Sequence, residues 1–217
     1  VKRSHRVYDT MKRVADAAAA VVLLLLLSPI LVAIGFLVRI SMGSPVLFAQ
    51  ERPGRNGRVF TLYKFRTMLP SESVASCDAV STDARRLTRL GRALRVSSLD
   101  ELPELWNVLV GQMSIVGPRP LLVEYLDRYD ATQARRHEVR PGITGWAQVN
   151  GRNAVSWEER LAMDIWYVDN RSFSLDLRIL MLTVTTVLSR KDVSAEGHAT
   201  MEPFDPHAEG AQRKEGP

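Results

Sequence analysis

The 217-residue chain has a single cysteine, Cys77. That excludes an intrachain disulfide and an all-cysteine metal site, and it agrees with a reducing compartment. Cys77 reads as inert rather than as an oxidation sensor. No internal repeat is visible along the chain. Charge is missing altogether from Ala17 to Val38, about 22 residues, close to the length that crosses a hydrocarbon core. A signal peptide fits this run poorly, because such peptides carry about 7 to 15 apolar residues and no small-x-small cleavage site follows. The formal net charge is +5 and the pI near 9.6, which suits an anionic partner: nucleic acid, lipid headgroups or a phosphorylated substrate. Charge alone does not choose among them. The length fits one catalytic unit plus a membrane element.

Lys12 and Arg13 precede the apolar run and Arg39 follows it, so the positive-inside rule marks both ends as cytoplasmic. A straight crossing satisfies only one end. Ser28-Pro29 lies in the middle, where proline removes a backbone donor and kinks or breaks a helix. A helix that enters, bends and returns to the same face satisfies every observation, yet prolines also occur in spanning helices. Composition leaves both topologies open.

Downstream, Pro45 to Gln50 and Val59 to Phe65 read as the strands of a hairpin, with Pro53-Gly54-Arg55-Asn56-Gly57 as its turn. Period two puts Lys64 and Arg66 on one face, either as a phosphate clamp or as a solvated strand face. Residues 71–82 read as a loop. A basic helix is expected from Asp83 to Leu94, with Arg85, Arg86, Arg89, Arg92 and Arg95 forming a strip toward phospholipid. From Ser98 an amphipathic helix carries Leu102, Leu105, Trp106 and Leu109, until Gly117-Pro118-Arg119-Pro120 breaks it. Leu122, Tyr125, Leu126 and Tyr129 predict a further helix. Arg140 to Asn153 reads as an ordered loop, whose glycines allow a backbone to approach a ligand closely. Ser156 to Glu159 is a capping box opening a helix with Leu161, Ile165 and Val168 on one face and Asp164 at its edge. The apolar stretch from Leu175 to Leu188 is too short to span and predicts a core or interfacial helix. Residues 203–217 read as a disordered tail.

Asp100 and Glu101 stand out at a helix-start signal. A capping role explains them with Ser98 as N-cap and Glu101 as N3, or with Asp100 itself as N-cap ahead of Pro103. A chemical role is also open. Side chains at i and i+1 of a helix diverge, so the two carboxylates take different positions rather than share a proton. A helix dipole would keep Asp100 ionised as nucleophile or metal ligand. Attack on a diphosphate requires its oxygens to be neutralised, and Mg²⁺ with Lys64, Arg66, Arg95, Arg119 and Arg140 could supply that charge.

Five segments in order carry a resemblance: Lys64-Phe65-Arg66-Thr67-Met68; Ser98 to Val108; Gly111-Gln112-Met113-Ser114; Gly117-Pro118-Arg119-Pro120; and Arg140 to Asn153. Together they resemble the bacterial sugar transferases, the monotopic phosphoglycosyl transferases, from about Lys12 to about Phe204. Lys12-Arg13, Asp16 and Ser28-Pro29 are similar to that family's re-entrant membrane helix, and the resemblance favours re-entry over spanning. The chain is similar to the small, PglC-like form, without the extra spans and further domain of larger members. The run Val193 to His198 also resembles that form, whose substrates are often UDP-linked N-acetylated amino sugars. His198 by itself reads as a surface residue.

The resemblance implies an α+β, predominantly helical fold: a re-entrant helix over residues 1–40, then a catalytic domain over 41–202 with a β-hairpin and amphipathic or interfacial helices. It implies that Asp100 attacks the sugar-bearing phosphate of a UDP-sugar, releasing UMP, and that polyprenyl phosphate, as undecaprenyl phosphate, then takes the phosphosugar. Mg²⁺ is the implied cofactor, with Asp100 and Glu101 as ligands and Glu101 also able to position the acceptor. Arg119 would bind phosphate and Arg95 a lipid phosphate, while Asp164 and Asp176 match acidic positions of the late helices. The implied location is the cytoplasmic face of the bacterial inner membrane, in contact with phospholipid and without nucleic acid. Two other classes fit parts of the sequence: a membrane-anchored metal-dependent phosphatase, and an anionic-ligand-binding module.

Overall fold

The uncharged run of the sequence lies inside one helix, α1 (Lys2–Met42), which continues without a break through Pro29. Proline at 29 has no N–H to donate to the carbonyl of Leu25, one turn back. The Ser28 hydroxyl donates to that same carbonyl at 2.8 Å, so the orphaned acceptor is satisfied and the helix carries on. Proline therefore does not end the helix. The computed structural model describes residues 2–70, 86–151, 155–189 and 204. The expected loop at 71–82 with Cys77, and also Asp83, Arg85, Arg152, Asn153 and His198, lie outside the described residues.

The hairpin forms as expected, from β1 (Leu47–Pro53) and β2 (Val59–Phe65), antiparallel with Leu47 opposite Phe65 and Pro53 opposite Val59. Its turn is a single 3-10 stretch, Arg55–Gly57, with Asn56 left-handed at φ 57°. Asparagine tolerates that region better than most residues, which is why Asn-Gly serves here. The basic helix is shorter than expected, α2 (Arg89–Val96), capped by the Thr88 side chain accepting from Gly91 N–H. Next come α3 (Glu104–Val110), β3 (Ser114–Val116), β4 (Gly142–Thr144), α4 (Trp146–Asn150), α5 (Trp157–Asn170) and α6 (Phe173–Ser189). The chain is mostly helical with two small sheets, as the fold class predicts.

Three expectations change. The helix predicted over Leu122 to Tyr129 is only a 3-10 stretch, Val123–Arg128, because Tyr125 alone is drawn fully into an aromatic cluster. The loop predicted from Arg140 contains β4, paired in parallel with β3, and the short helix α4. Two of its glycines press against backbone: a Cβ on Gly142 would lie 2.1 Å from the Gly117 nitrogen, and one on Gly145 2.2 Å from the Gly117 carbonyl oxygen. Phe204, inside the predicted tail, is buried against Tyr125, Tyr129 and Trp157, and Arg128 donates to its carbonyl at 2.6 Å. The capping box stands, with Ser156 and Glu159 satisfying each other's backbone donors at the start of α5.

Both ends of the apolar run are packed into the same body. Ala20 joins Phe60, Leu62, Val108 and Met113, while Ile34, Val38 and Met42 join Phe65 and Leu94. Between them Val22, Leu25, Leu26 and Val32 stand exposed, an apolar surface that water does not favour. Among the described residues α1 is the one helix long and apolar enough to cross a membrane.

Candidate active site

Asp100 and Glu101 sit in a 3-10 turn, Leu99–Glu101, entered through Ser98 in the left-handed region at φ 56°. Neither capping expectation holds. Ser98 makes no cap hydrogen bond, and α3 starts beyond Asp100, after Pro103, also without a side-chain cap. The dipole of α3 therefore does not hold Asp100 ionised. Burial dominates instead: Asp100 is only 8% exposed, and no described residue donates to its carboxylate or pairs with it. Desolvation, and after it the neighbouring Glu101 charge, push the Asp100 pKa up to about 6, while Lys64, Arg95 and Arg119 pull it down. At neutral pH Asp100 is still mostly a carboxylate, poorly solvated and without a partner.

Glu101 has the opposite surroundings. Lys64 donates to its Oε1 at 2.6 Å, Arg119 Nη1 reaches Oε2 at 3.3 Å, and Arg119 Nη2 donates to Oε1. Burial alone would raise its pKa, but Arg119 and then Lys64 outweigh it and hold the group ionised. The same lysine lies 3.1 Å from Glu104 Oε1, an ion pair without hydrogen-bond geometry. Glu104 is 1% exposed, and its pKa is pushed up by burial and by the Glu101 charge. Sequence reasoning missed Glu104. Its signal was the i, i+3 spacing from Glu101, which stacks two acids on successive turns around one cation.

Arg95 approaches from α2, its Nε donating to Thr67 Oγ1 at 3.0 Å, and its charge is felt at Asp100. Arg119 is held from behind. Arg136 donates to the Arg119 carbonyl at 2.7 Å and pairs with Asp164 Oδ2, also at 2.7 Å. Asp164, at 3% exposure, lies inside and anchors Arg136. Nothing in the sequence distinguishes Arg136 from Arg135 as its partner.

Three predicted substrate residues lie elsewhere. Arg66 is buried, donating to the carbonyls of Met42, Gly43 and Ser44 where α1 ends, so its guanidinium closes a helix terminus and is not free for a phosphate. Asp176 accepts from Tyr8 Oη at 2.7 Å, Lys12 Nζ at 2.7 Å and Tyr167 Oη at 2.8 Å, tying α1 to α6. Arg140 donates to the Gly111 carbonyl at 2.9 Å and faces a separate cleft beside the start of α1.

As to a metal, no group of three His, Cys, Asp or Glu side chains among the described residues is set to hold one. Mg²⁺ asks for less than that, since it is commonly bound by one or two carboxylates together with substrate phosphates. Asp100, desolvated and unpaired, fits such a site. Glu101 would have to give up a cation contact to join it.

The family model for the bacterial sugar transferases matches residues 7–190. The chain belongs to the bacterial sugar transferase family. An uncharacterized sugar transferase, EpsL, of Bacillus subtilis (strain 168) is 54% identical over 194 residues, covering 89% of this chain and 95% of that protein. The UDP-galactose-lipid carrier transferase of Erwinia amylovora is 41% identical over 195 residues, 83% of this chain and 41% of its own length. The UDP-glucose:undecaprenyl-phosphate glucose-1-phosphate transferase of Escherichia coli (strain K12) is 40% identical over 182 residues, 80% of this chain and 39% of its own. This sugar transferase therefore spans nearly all of the first relative and about two fifths of the other two.

Proposed function

We propose that this chain transfers a sugar-1-phosphate from a UDP-sugar to a polyprenyl phosphate at the cytoplasmic face of the bacterial inner membrane. One observation carries the reading: Asp100, a buried carboxylate with no partner among the described residues, beside Glu101, a carboxylate neutralised by Lys64 and Arg119. An Asp100 oxygen attacks the phosphorus that bears the sugar. The bond from that phosphorus to the bridging oxygen breaks, UMP leaves with the electron pair, and the phosphosugar remains on Asp100 as an acyl phosphate. An oxygen of the polyprenyl phosphate then attacks the same phosphorus and expels the carboxylate. The product is a polyprenyl-diphosphate-linked sugar, the first unit of a glycan. Undecaprenyl phosphate is the acceptor expected from the names of the relatives.

Arg119 and Lys64 work at two levels. They hold Glu101 ionised and fixed, and their remaining donors offset the negative charge of an incoming diphosphate beside Asp100. Arg95 is placed to meet the acceptor phosphate. Mg²⁺, held by Asp100 with Glu101 as a second ligand, would supply further neutralisation of the diphosphate.

The membrane part of the reading is supported by the packing of α1. Ala20 lies in one cluster with Phe60, Leu62, Val108 and Met113, and Ile34 and Val38 in another with Phe65 and Leu94, so both ends of the apolar run are held by the same body while its middle stands exposed. A straight crossing would put those ends about 30 Å apart on opposite sides of the membrane. A helix held this way enters lipid and returns on one side.

The test is incubation with a UDP-sugar and no acceptor, followed by peptide mass spectrometry. A phosphosugar mass on the Asp100 peptide is expected, together with release of UMP. Turnover with acceptor but no adduct at any time would favour direct transfer, and release of free phosphate from a polyprenyl phosphate would favour a phosphatase.

A further inference from the structure

A second charged cleft lies at the opposite end of the apolar run from the carboxylates. Leu99 and Leu102, flanking Asp100, pack with Ile34, Val38 and Met42, whereas this cleft is lined by α1 residues from Tyr8 to Asp16. It is open to solvent and encloses only about 20 Å³, so an occupant sits at its mouth rather than inside it. Its cations come from four places: Lys12 and Arg13 on α1, Arg55 at the hairpin tip, Arg140 ahead of β4, and Arg171 between α5 and α6. Only Asp9 and Asp16 line it in opposition. Even counting Asp176, which holds Lys12, two positive charges are left over.

Arg13 is satisfied by the carbonyls of Val108 and Leu109, Arg171 by Asp9 and Lys12 by Asp176, but Arg140 and Arg55 are short of partners. Arg140 spends its Nε on the Gly111 carbonyl, and no described residue meets its two Nη groups. Arg55 donates through Nε to the Glu138 carbonyl at 3.1 Å and lies 3.9 Å from Asp9. Burial lowers the Arg140 pKa, and the nearby charges of Arg55 and then Arg13 lower it further. Like charges crowded in this way are relieved by an oxyanion.

The rim indicates where such an anion comes from. The Phe173 ring meets the cleft-lining Tyr8 edge-on with centroids 5.0 Å apart, and Phe173 and Leu177 stand exposed at 45% and 58% just past Arg171. A basic cleft edged by apolar side chains matches a phosphate carrying acyl chains.

We propose that this cleft is a phosphate-binding site, distinct from the Asp100 centre, that takes the headgroup phosphate of a membrane phospholipid. Its occupant would clamp α1, the hairpin tip and the start of α6 together at the lipid surface. The proposal rests on the membrane placement given above, and the two fail differently. If the full chain does not float with phosphatidylglycerol vesicles, both fall; if it floats but the cleft variants retain lipid like the wild type, only the headgroup site falls.

Native mass spectrometry of the full chain, released from micelles doped with phosphatidylglycerol, provides the measurement. The wild type should keep one phosphatidylglycerol and not keep diacylglycerol with the same chains. Arg140→Gln should lower retention by about fivefold or more, the scale of one lost cation–headgroup contact. Arg55→Gln, at an exposed turn, should lower it less and leave UMP release unchanged, so it carries the test if Arg140→Gln folds poorly. Equal retention by both variants overturns the proposal. So does displacement of the lipid by millimolar inorganic phosphate, which would mark a site for a soluble anion.

Discussion

Asp100 and Asp176 are both buried aspartates, and their surroundings differ completely. Asp176 accepts from two tyrosines and a lysine, so its charge is spent on joining α1 to α6. Asp100 accepts from no described residue, and burial raises its pKa. A buried acid with a full set of donors is a structural tie. One left bare is held at a cost in stability and stays reactive.

That contrast is open to direct attack, starting where the effect is greatest. Asp100→Asn should reduce UMP release by more than about a thousandfold, as expected for loss of a nucleophile, and should abolish the phosphosugar adduct. Residual turnover within tenfold of wild type would move Asp100 to the same class as Asp176. Asp176→Ala should do the reverse, costing about 3 to 5 kcal/mol in denaturant unfolding because Lys12 and two hydroxyls lose their acceptor. Activity per folded molecule should stay within a few-fold.

A smaller effect sharpens the point through linkage. The folded-state pKa of Asp100 lies above its unfolded value of about 3.9, so ionising it costs stability as pH rises through about 6, and that cost disappears below pH 4. Asp100→Asn should therefore raise unfolding stability by about 2 to 3 kcal/mol at pH 8 and by nothing at pH 4. A lower melting temperature at pH 8 would show that the carboxylate is satisfied after all. The smallest expected change is in the pH–rate profile. The nucleophile must be ionised, so the rate should fall about tenfold per pH unit below about 6, a limb that Asp176 variants leave in place.

The sequence made one half of this contrast readable and hid the other. Local patterns came through: the hairpin, the capping box of α5, the uncharged run and the carboxylate pair all depend on residues close together in the chain. Arg66, Asp164 and Asp176 were singled out by the sequence, but the partners that fix their placement include ones 24 or more positions away: Met42, Arg136 and Tyr8. Period two grouped Lys64 and Arg66 on one face, but β2 ends at Phe65, and spacing could not show that Lys64 meets Glu101 while Arg66 closes α1. The β3–β4 pair escaped notice because strands of three residues are too short to carry an alternation.

The packing of α1 bears on how the protein can be handled. Because Ala20 closes over Phe60, Leu62 and Met113, and Ile34 and Val38 over Phe65 and Leu94, the helix is a wall of the interior as much as an anchor. Trimming the first 42 residues to obtain a water-soluble enzyme would strip two hydrophobic clusters bare and leave Asp176 with Tyr167 alone of its three partners. A soluble version should instead keep the helix and exchange its outward side chains, such as Leu25, Leu26 and Val32, for polar ones.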